Sequence, residues 1–117
     1  MKALRIQPRG GPEVLVYEDA PVPKITNGDT LVKVHATVIT PTEFTWNTTF
    51  TTSDGKNRLP VVPSFEVSGT VNEVAPGVSD VSVGDAVFGR LDFWRDGAAA
   101  EYVTARAADL APKTTGF

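Results

Sequence analysis

The stretch VVPSFEVSGTV, Val61 to Val71, decides how this chain is read. Its valines and Phe65 favour pleated, half-buried backbone. Pro63 is tolerated ahead of a strand, and Gly69 inside one signals close approach of another backbone. The strand is expected from Glu66 to Ala75, closed by a turn at Pro76-Gly77. Glu66 raises a question. A carboxylate on the wet face of a strand costs nothing, whereas one in a cleft can belong to a pocket.

Working outward, β signals dominate. Lys2 to Gln7 reads as a strand, Pro8 to Pro12 as a turn, and Val14 to Glu18 as the returning strand of a hairpin. Asp19 to Asp29 holds Pro21, Pro23 and Asn27-Gly28 and reads as an extended loop. Thr30 to Ile39 is a strand whose alternation puts Val32, Val34, Ala36 and Val38 on one face and Lys33, His35 and Thr37 on the other. Thr40-Pro41-Thr42-Glu43 is a helix start: Thr at the N-cap, Pro at the first helical position and an acid three residues after the cap. One or two helical turns are expected to about Asn47, then a polar, mobile loop from Thr48 to Leu59. Beyond Glu66–Ala75, Val83-Gly84-Asp85 turns into a strand at Ala86 to Arg90. A loop at Leu91 to Gly97 leads to a last strand, Ala98 to Ala107, after which Ala111 to Phe117 completes no element. Six or seven short strands with very little helix indicate a mainly β fold, a small barrel or sandwich.

Composition narrows the function. The 117 residues, expected to form one domain, are 41% hydrophobic and 21% charged, enough apolar side chain for a core. A net charge of −3 and no basic face argue against nucleic acid. No run approaches the ~18 apolar residues that a membrane helix needs, so no membrane partner is expected. The N-terminus reaches Pro8 and Gly10-Gly11 before a signal-peptide core could form, which makes the cytoplasm the expected compartment. With no cysteine and one histidine, His35, the chain can form no disulfide, cysteine nucleophile or ordinary Cys/His zinc site.

Pro63-x-Phe65-Glu66-x-Ser68-Gly69-x-Val71 is followed in order by Val74-Ala75-Pro76-Gly77-Val78, Val83-Gly84-Asp85-x-Val87-x-Gly89 and Gly97-Ala98-x-Ala100-Glu101-Tyr102. Met1-Lys2-Ala3, Gly11 to Leu15 and Leu110 to Lys113 fit the same series. It resembles the amino-terminal GroES-like domain of the medium-chain dehydrogenase/reductase superfamily, within it the zinc-independent quinone oxidoreductases. The resemblance covers residues 1–117 and implies a partly open GroES-like barrel with one short helix, lacking the Rossmann domain that binds NAD(P). No Gly-x-Gly-x-x-Gly occurs here. It implies a piece of a longer two-domain enzyme, inactive alone, whose partners are a small-molecule substrate and the missing Rossmann domain. A homodimeric parent is compatible with it.

Departures from the pattern are informative. In the zinc alcohol dehydrogenases, a Cys and a His of this domain bind the catalytic metal; the corresponding positions here are Thr40 and Phe65, neither a zinc ligand of that kind. Thr40 also stands where the quinone branch commonly has Asn, and Ser64 where a Gly is usual. Glu66 matches the acid behind the metal and is expected to be structural, hydrogen-bonded at the cleft edge. Glu43 matches an acid of the quinone branch, which its capping spacing already explains. Thr40 can bond nicotinamide ribose or a substrate carbonyl, or simply cap its helix. Trp46, Phe65, Phe93 and Trp94, with Phe50, can floor a pocket for a flat substrate or be core. Arg90 and Arg95 can approach a cofactor phosphate or be solvated.

The function that the resemblance implies is NADPH-dependent, zinc-independent reduction of quinones or activated alkenes and carbonyls by hydride transfer. The alternatives are a free-standing barrel used for binding or assembly without catalysis, and a zinc alcohol dehydrogenase that has lost its metal ligands.

Overall fold

Branched side chains alternating with turn residues produce short antiparallel strands in the computed structural model, which describes residues 1–8 and 10–113. Strand β1 (Lys2–Ile6) pairs with β2 (Leu15–Asp19) in a two-stranded sheet. The connection tightens into a 3-10 turn at Pro12–Val14. Five further strands form the second sheet: β3 (Asp29–Thr37), β4 (Glu66–Val74), β5 (Ala86–Arg90), β6 (Tyr102–Arg106) and β7 (Leu110–Pro112), in the order β6-β3-β4-β5-β7 with every pair antiparallel. That sheet stays open, with β6 and β7 at its edges. Isolated bridges from Ala3 to Ala100 and from Ile6 to Val61 fasten the hairpin across it.

The core follows this layout. Val32, Phe65, Val67, Val71, Val87 and Val103 pack together inside the larger sheet. Two smaller clusters, Ala3 with Val62 and Ala99, and Ile6 with Phe50 and Val61, fill the space under the hairpin. Gly69 is where β4 passes closest to β3. A Cβ there would lie 2.1 Å from the carbonyl oxygen of Lys33, so only glycine fits.

Four expectations are corrected. Alternation along β3 fails after Val34: Val32 is fully buried, but Ala36 is exposed and Val38 is 50% exposed. A register shift between Val34 and Ala36 breaks the two-residue period. The last long strand begins at Tyr102 rather than Ala98, because Ala98 and Ala99 donate their N–H groups to the carbonyls of Ser64 and Pro63. Ala111 and Pro112, part of the Ala111 to Phe117 stretch expected to complete no element, form β7 with Leu110 on the free edge of β5. The segment read as a polar loop from Thr48 starts inside a helix, α1 (Asn47–Phe50), with Thr49 and Phe50 buried, and Thr51 bridges to Asn57. Arg9, in the expected Pro8–Pro12 turn, and Thr114–Phe117 lie outside the described residues. Among the described residues no helix is long and apolar enough to cross a membrane.

Candidate functional site

Strand β3 ends and the chain turns at Thr40, whose extended backbone (φ −86°, ψ 126°) is what a residue before proline adopts. Pro41–Phe44 then forms a 3-10 turn that begins with a capping box. The Thr40 N–H donates to Oε2 of Glu43 at 2.7 Å. The other carboxylate oxygen, Oε1, accepts the N–H of Ser64 at 2.7 Å, across 21 residues of sequence. Glu43 is 1% exposed, and its carbonyl accepts the Thr49 hydroxyl at 2.6 Å. One buried carboxylate thus ties Thr40 to the residue before Phe65. Thr40 and Phe65 are the two positions where the resemblance places metal ligands in the zinc enzymes.

Phe65 lies 5% exposed in a trio of rings. Its centroid is 5.2 Å from that of Phe93, edge-on at 89°, and 6.4 Å from Trp46; Trp46 and Phe93 meet at 5.5 Å and 60°. Tilted and edge-to-face contacts of this kind contribute about 0.5–1.5 kcal/mol per pair beyond area burial. The Arg90 guanidinium stands 5.3 Å from the Phe93 centroid. Trp94 is 49% exposed and outside the trio, and Phe50 packs in the separate cluster with Ile6 and Val61.

Glu66 follows the buried Phe65 and is the first residue of β4. Its side chain is exposed, and it is its carbonyl, not its carboxylate, that accepts the Thr37 hydroxyl, at 2.6 Å. Opposite Arg90 in the β4–β5 register, it lines an open groove of about 450 Å³ with Thr37, Val38, Phe88 and Arg90. The sequence candidates therefore divide. Thr40, Glu43, Trp46, Phe65 and Phe93 are linked by the clamp and the rings. Glu66 belongs to the outer groove, and Trp94 to the surface.

Two groups escaped the sequence reading. Arg58 is half-buried, and its guanidinium donates to three main-chain carbonyls: Thr48, Phe93 at 2.9 Å and Arg95 at 2.8 Å. Burial lowers its pKa, with Asp96 and Asp92 opposing. It pins α1 to the loop that carries Phe93. Nothing local marks it, since its partners are carbonyls brought close only by the fold. The other is Asp29, whose carboxylate accepts Thr26 N–H at 3.0 Å, Thr26 Oγ1–H at 2.8 Å and Arg95 at 2.9 Å. Burial alone would raise its pKa, but the Thr26 and Arg95 hydrogen bonds outweigh that and lower it. Arg95 is thereby engaged with Asp29. The Thr26-x-x-Asp29 spacing around Asn27-Gly28 was the available signal.

Among the described residues, no group of three His, Cys, Asp or Glu side chains is placed to hold a metal ion. Among the same residues no dinucleotide phosphate cradle is formed: α1 is four residues long, and no glycine-rich turn precedes it.

The chain is similar to several known proteins. A rat quinone oxidoreductase is 40% identical over 89 residues, which make up 75% of this chain and 26% of that protein. The solved quinone oxidoreductase of Coxiella burnetii superposes with a TM-score of 0.89 at 28% identity, covering 100% of this chain and 38% of its own. A mycobacterial protein solved in complex with NADPH gives a TM-score of 0.82 at 32% identity, covering 100% and 35%. The chain thus spans only about a quarter to two-fifths of these relatives. The sequence pattern of the alcohol dehydrogenase GroES-like domain matches residues 26–115, and with the open β fold and the ordered turn motifs around Phe65 it places this chain in that domain family of the medium-chain dehydrogenase/reductases.

Proposed function

We propose that the chain is the substrate-side domain of an NADPH-dependent, zinc-independent oxidoreductase that reduces quinones or activated alkenes and carbonyls. The observation that supports this best is that Thr40 and Phe65, brought near each other by the bonds of Glu43 to Thr40 and Ser64, offer neither thiolate nor imidazole. The quinone oxidoreductases among its relatives, and the relative solved with NADPH, favour the same reading.

NADPH would supply the hydride for an electron-poor carbon. The residues of this chain do not fit its phosphates, so parts of the enzyme outside residues 1–117 would hold it. This chain would contribute the half-buried faces of Trp46 and Phe93 as an apolar wall that excludes water and orients a flat substrate. The exposed Thr40 can turn its hydroxyl toward a substrate carbonyl oxygen and donate to it as negative charge develops there. Glu43 is buried and engaged through both oxygens, and water would supply the closing proton.

The test is NADPH oxidation by the product of the uninterrupted gene, with a panel of quinones and enones, before and after treatment with a zinc chelator. Turnover that survives chelation is expected. No oxidation with any acceptor would overturn the proposal; loss on chelation and recovery with zinc would overturn its zinc-independent part. The 117-residue chain alone is expected to be inactive.

A further inference from the structure

We infer that Glu43 is a positioning residue, setting the gap between Thr40 and Phe65 by holding an amide beside each on one carboxylate. The inference rests on the oxidoreductase reading only for what is being positioned; the clamp itself is a matter of geometry.

Capping needs one carboxylate oxygen. The second reaches a different part of the chain, and what it holds there is strained. Ser64 has φ 82°, in the left-handed region where side chains are disfavoured. Its hydroxyl is buried without a hydrogen-bond partner, so the side chain contributes nothing to keeping that conformation. The surroundings hold it instead. Glu43 takes the Ser64 N–H, and the Ser64 carbonyl accepts the N–H of Ala98 at 2.7 Å. Gly97 lets the two segments close: a Cβ there would lie 2.2 Å from the Ser64 oxygen and 2.4 Å from that of Pro63.

Phe65 comes next. Its carbonyl accepts the Leu91 N–H at 2.6 Å, and its ring meets Trp46 and Phe93. Relaxation of Ser64 toward negative φ would swing Phe65 out of that arrangement. A carboxylate suits the clamp because both its oxygens accept. A glutamine would present its NH₂ group to one of the two N–H groups and lose that arm. An aspartate, one methylene shorter, would reach only one amide.

The readout is the ¹H–¹⁵N resonance of the Trp46 indole in the full-length protein, displaced by the rings of Phe65 and Phe93 and assigned with Trp46→Phe. Glu43→Gln is expected to move it more than half-way to the position of a free indole. Adding Ser64→Gly should return it, because glycine adopts the left-handed conformation without the clamp. Ile6→Val, which weakens a separate cluster, should leave it in place. If Glu43→Gln does not fold, Glu43→Asp replaces it in the same comparison. The inference is overturned if the resonance stays put in the Glu43 variant, fails to return with Ser64→Gly, or moves equally in Ile6→Val. None of these outcomes involves turnover. Failure here leaves the oxidoreductase reading standing, and absence of NADPH oxidation leaves the clamp standing.

Discussion

Asp29 and Arg95, 66 residues apart in sequence, form an ion pair of 2.9 Å that joins the start of β3 to the loop carrying Phe93. The aspartate side chain is 3% exposed and the arginine 25%. The pair is therefore asymmetric: the acid depends on its partners, while the arginine keeps contact with water.

Asp29→Asn is expected to cost about 2–3 kcal/mol, because it weakens hydrogen bonds to a buried charge. Arg95→Leu should cost less, since Asp29 keeps both bonds from Thr26. The pH dependence follows from the lowered pKa of Asp29. A carboxylate with a pKa depressed by folding stabilises above its unfolded value of about 3.9 and loses that contribution as pH falls through the folded value. The gap between wild type and Asp29→Asn in urea denaturation should be constant near neutrality and narrow in acid. A gap that widens in acid would refute the assignment.

Arg58 makes its three bonds to carbonyls of α1 and of the loop carrying Phe93, so Arg58→Ala leaves three part-buried acceptors without their donor. The expected loss is about 2–4 kcal/mol. Arg58→Lys should recover only part of it, because an ammonium cannot match the planar fork. Chemical denaturation of the three proteins measures both. Full recovery by lysine would show that charge alone matters.

The ring trio and the exposed tryptophan should separate cleanly. Phe65→Ala is expected to cost about 3–5 kcal/mol, as for a buried aromatic residue elsewhere. Trp94→Ala should stay within about 0.5 kcal/mol, the range for surface positions. Equal losses in thermal or urea unfolding would place Trp94 in the core after all.

Gly69→Ala puts a methyl group against the Lys33 carbonyl, and neither strand can yield without breaking the β3–β4 register. Overpacking of this kind costs about 1–3 kcal/mol. Amide hydrogen exchange should show faster opening in β3 and β4 than in the hairpin. Uniform protection in all strands would contradict the close approach.

If the proposed function holds, Thr40→Val in the NADPH-oxidising enzyme should lower kcat for quinone reduction about tenfold, or ~1.4 kcal/mol of barrier, and change KM for NADPH little. A hydroxyl that only caps the turn would leave kcat unchanged while lowering stability. Thr40→Ser, which keeps the hydroxyl, should restore most of the rate.

Much of this was legible from residue order. Valine-rich runs broken by Pro76-Gly77 and Gly84-Asp85 marked β4 and β5, because turn chemistry and strand preference act within a few residues. The Asp85 carboxylate accepts the Ser82 N–H at 2.9 Å, a bond closed entirely inside its own turn. The capping box of Thr40 and Glu43 was readable for the same reason. Phe65 is buried among the rings while Glu66 is exposed, a split set by packing at the start of β4 rather than by residue order.

What the sequence determined alone were most of the strands, the turns, the cap and the absence of cysteine and of a glycine-rich dinucleotide loop. Which residues share a site was decided by tertiary structure. The second oxygen of Glu43 finds Ser64, Arg58 finds carbonyls near Trp46 and at Phe93, and Asp29 finds Arg95, each across a separation that no local pattern encodes. Local preferences are set by neighbouring backbone sterics and short hydrogen bonds. A buried carboxylate or guanidinium takes whatever partner packing brings to it, because leaving it unpaired costs more than any local preference can offset.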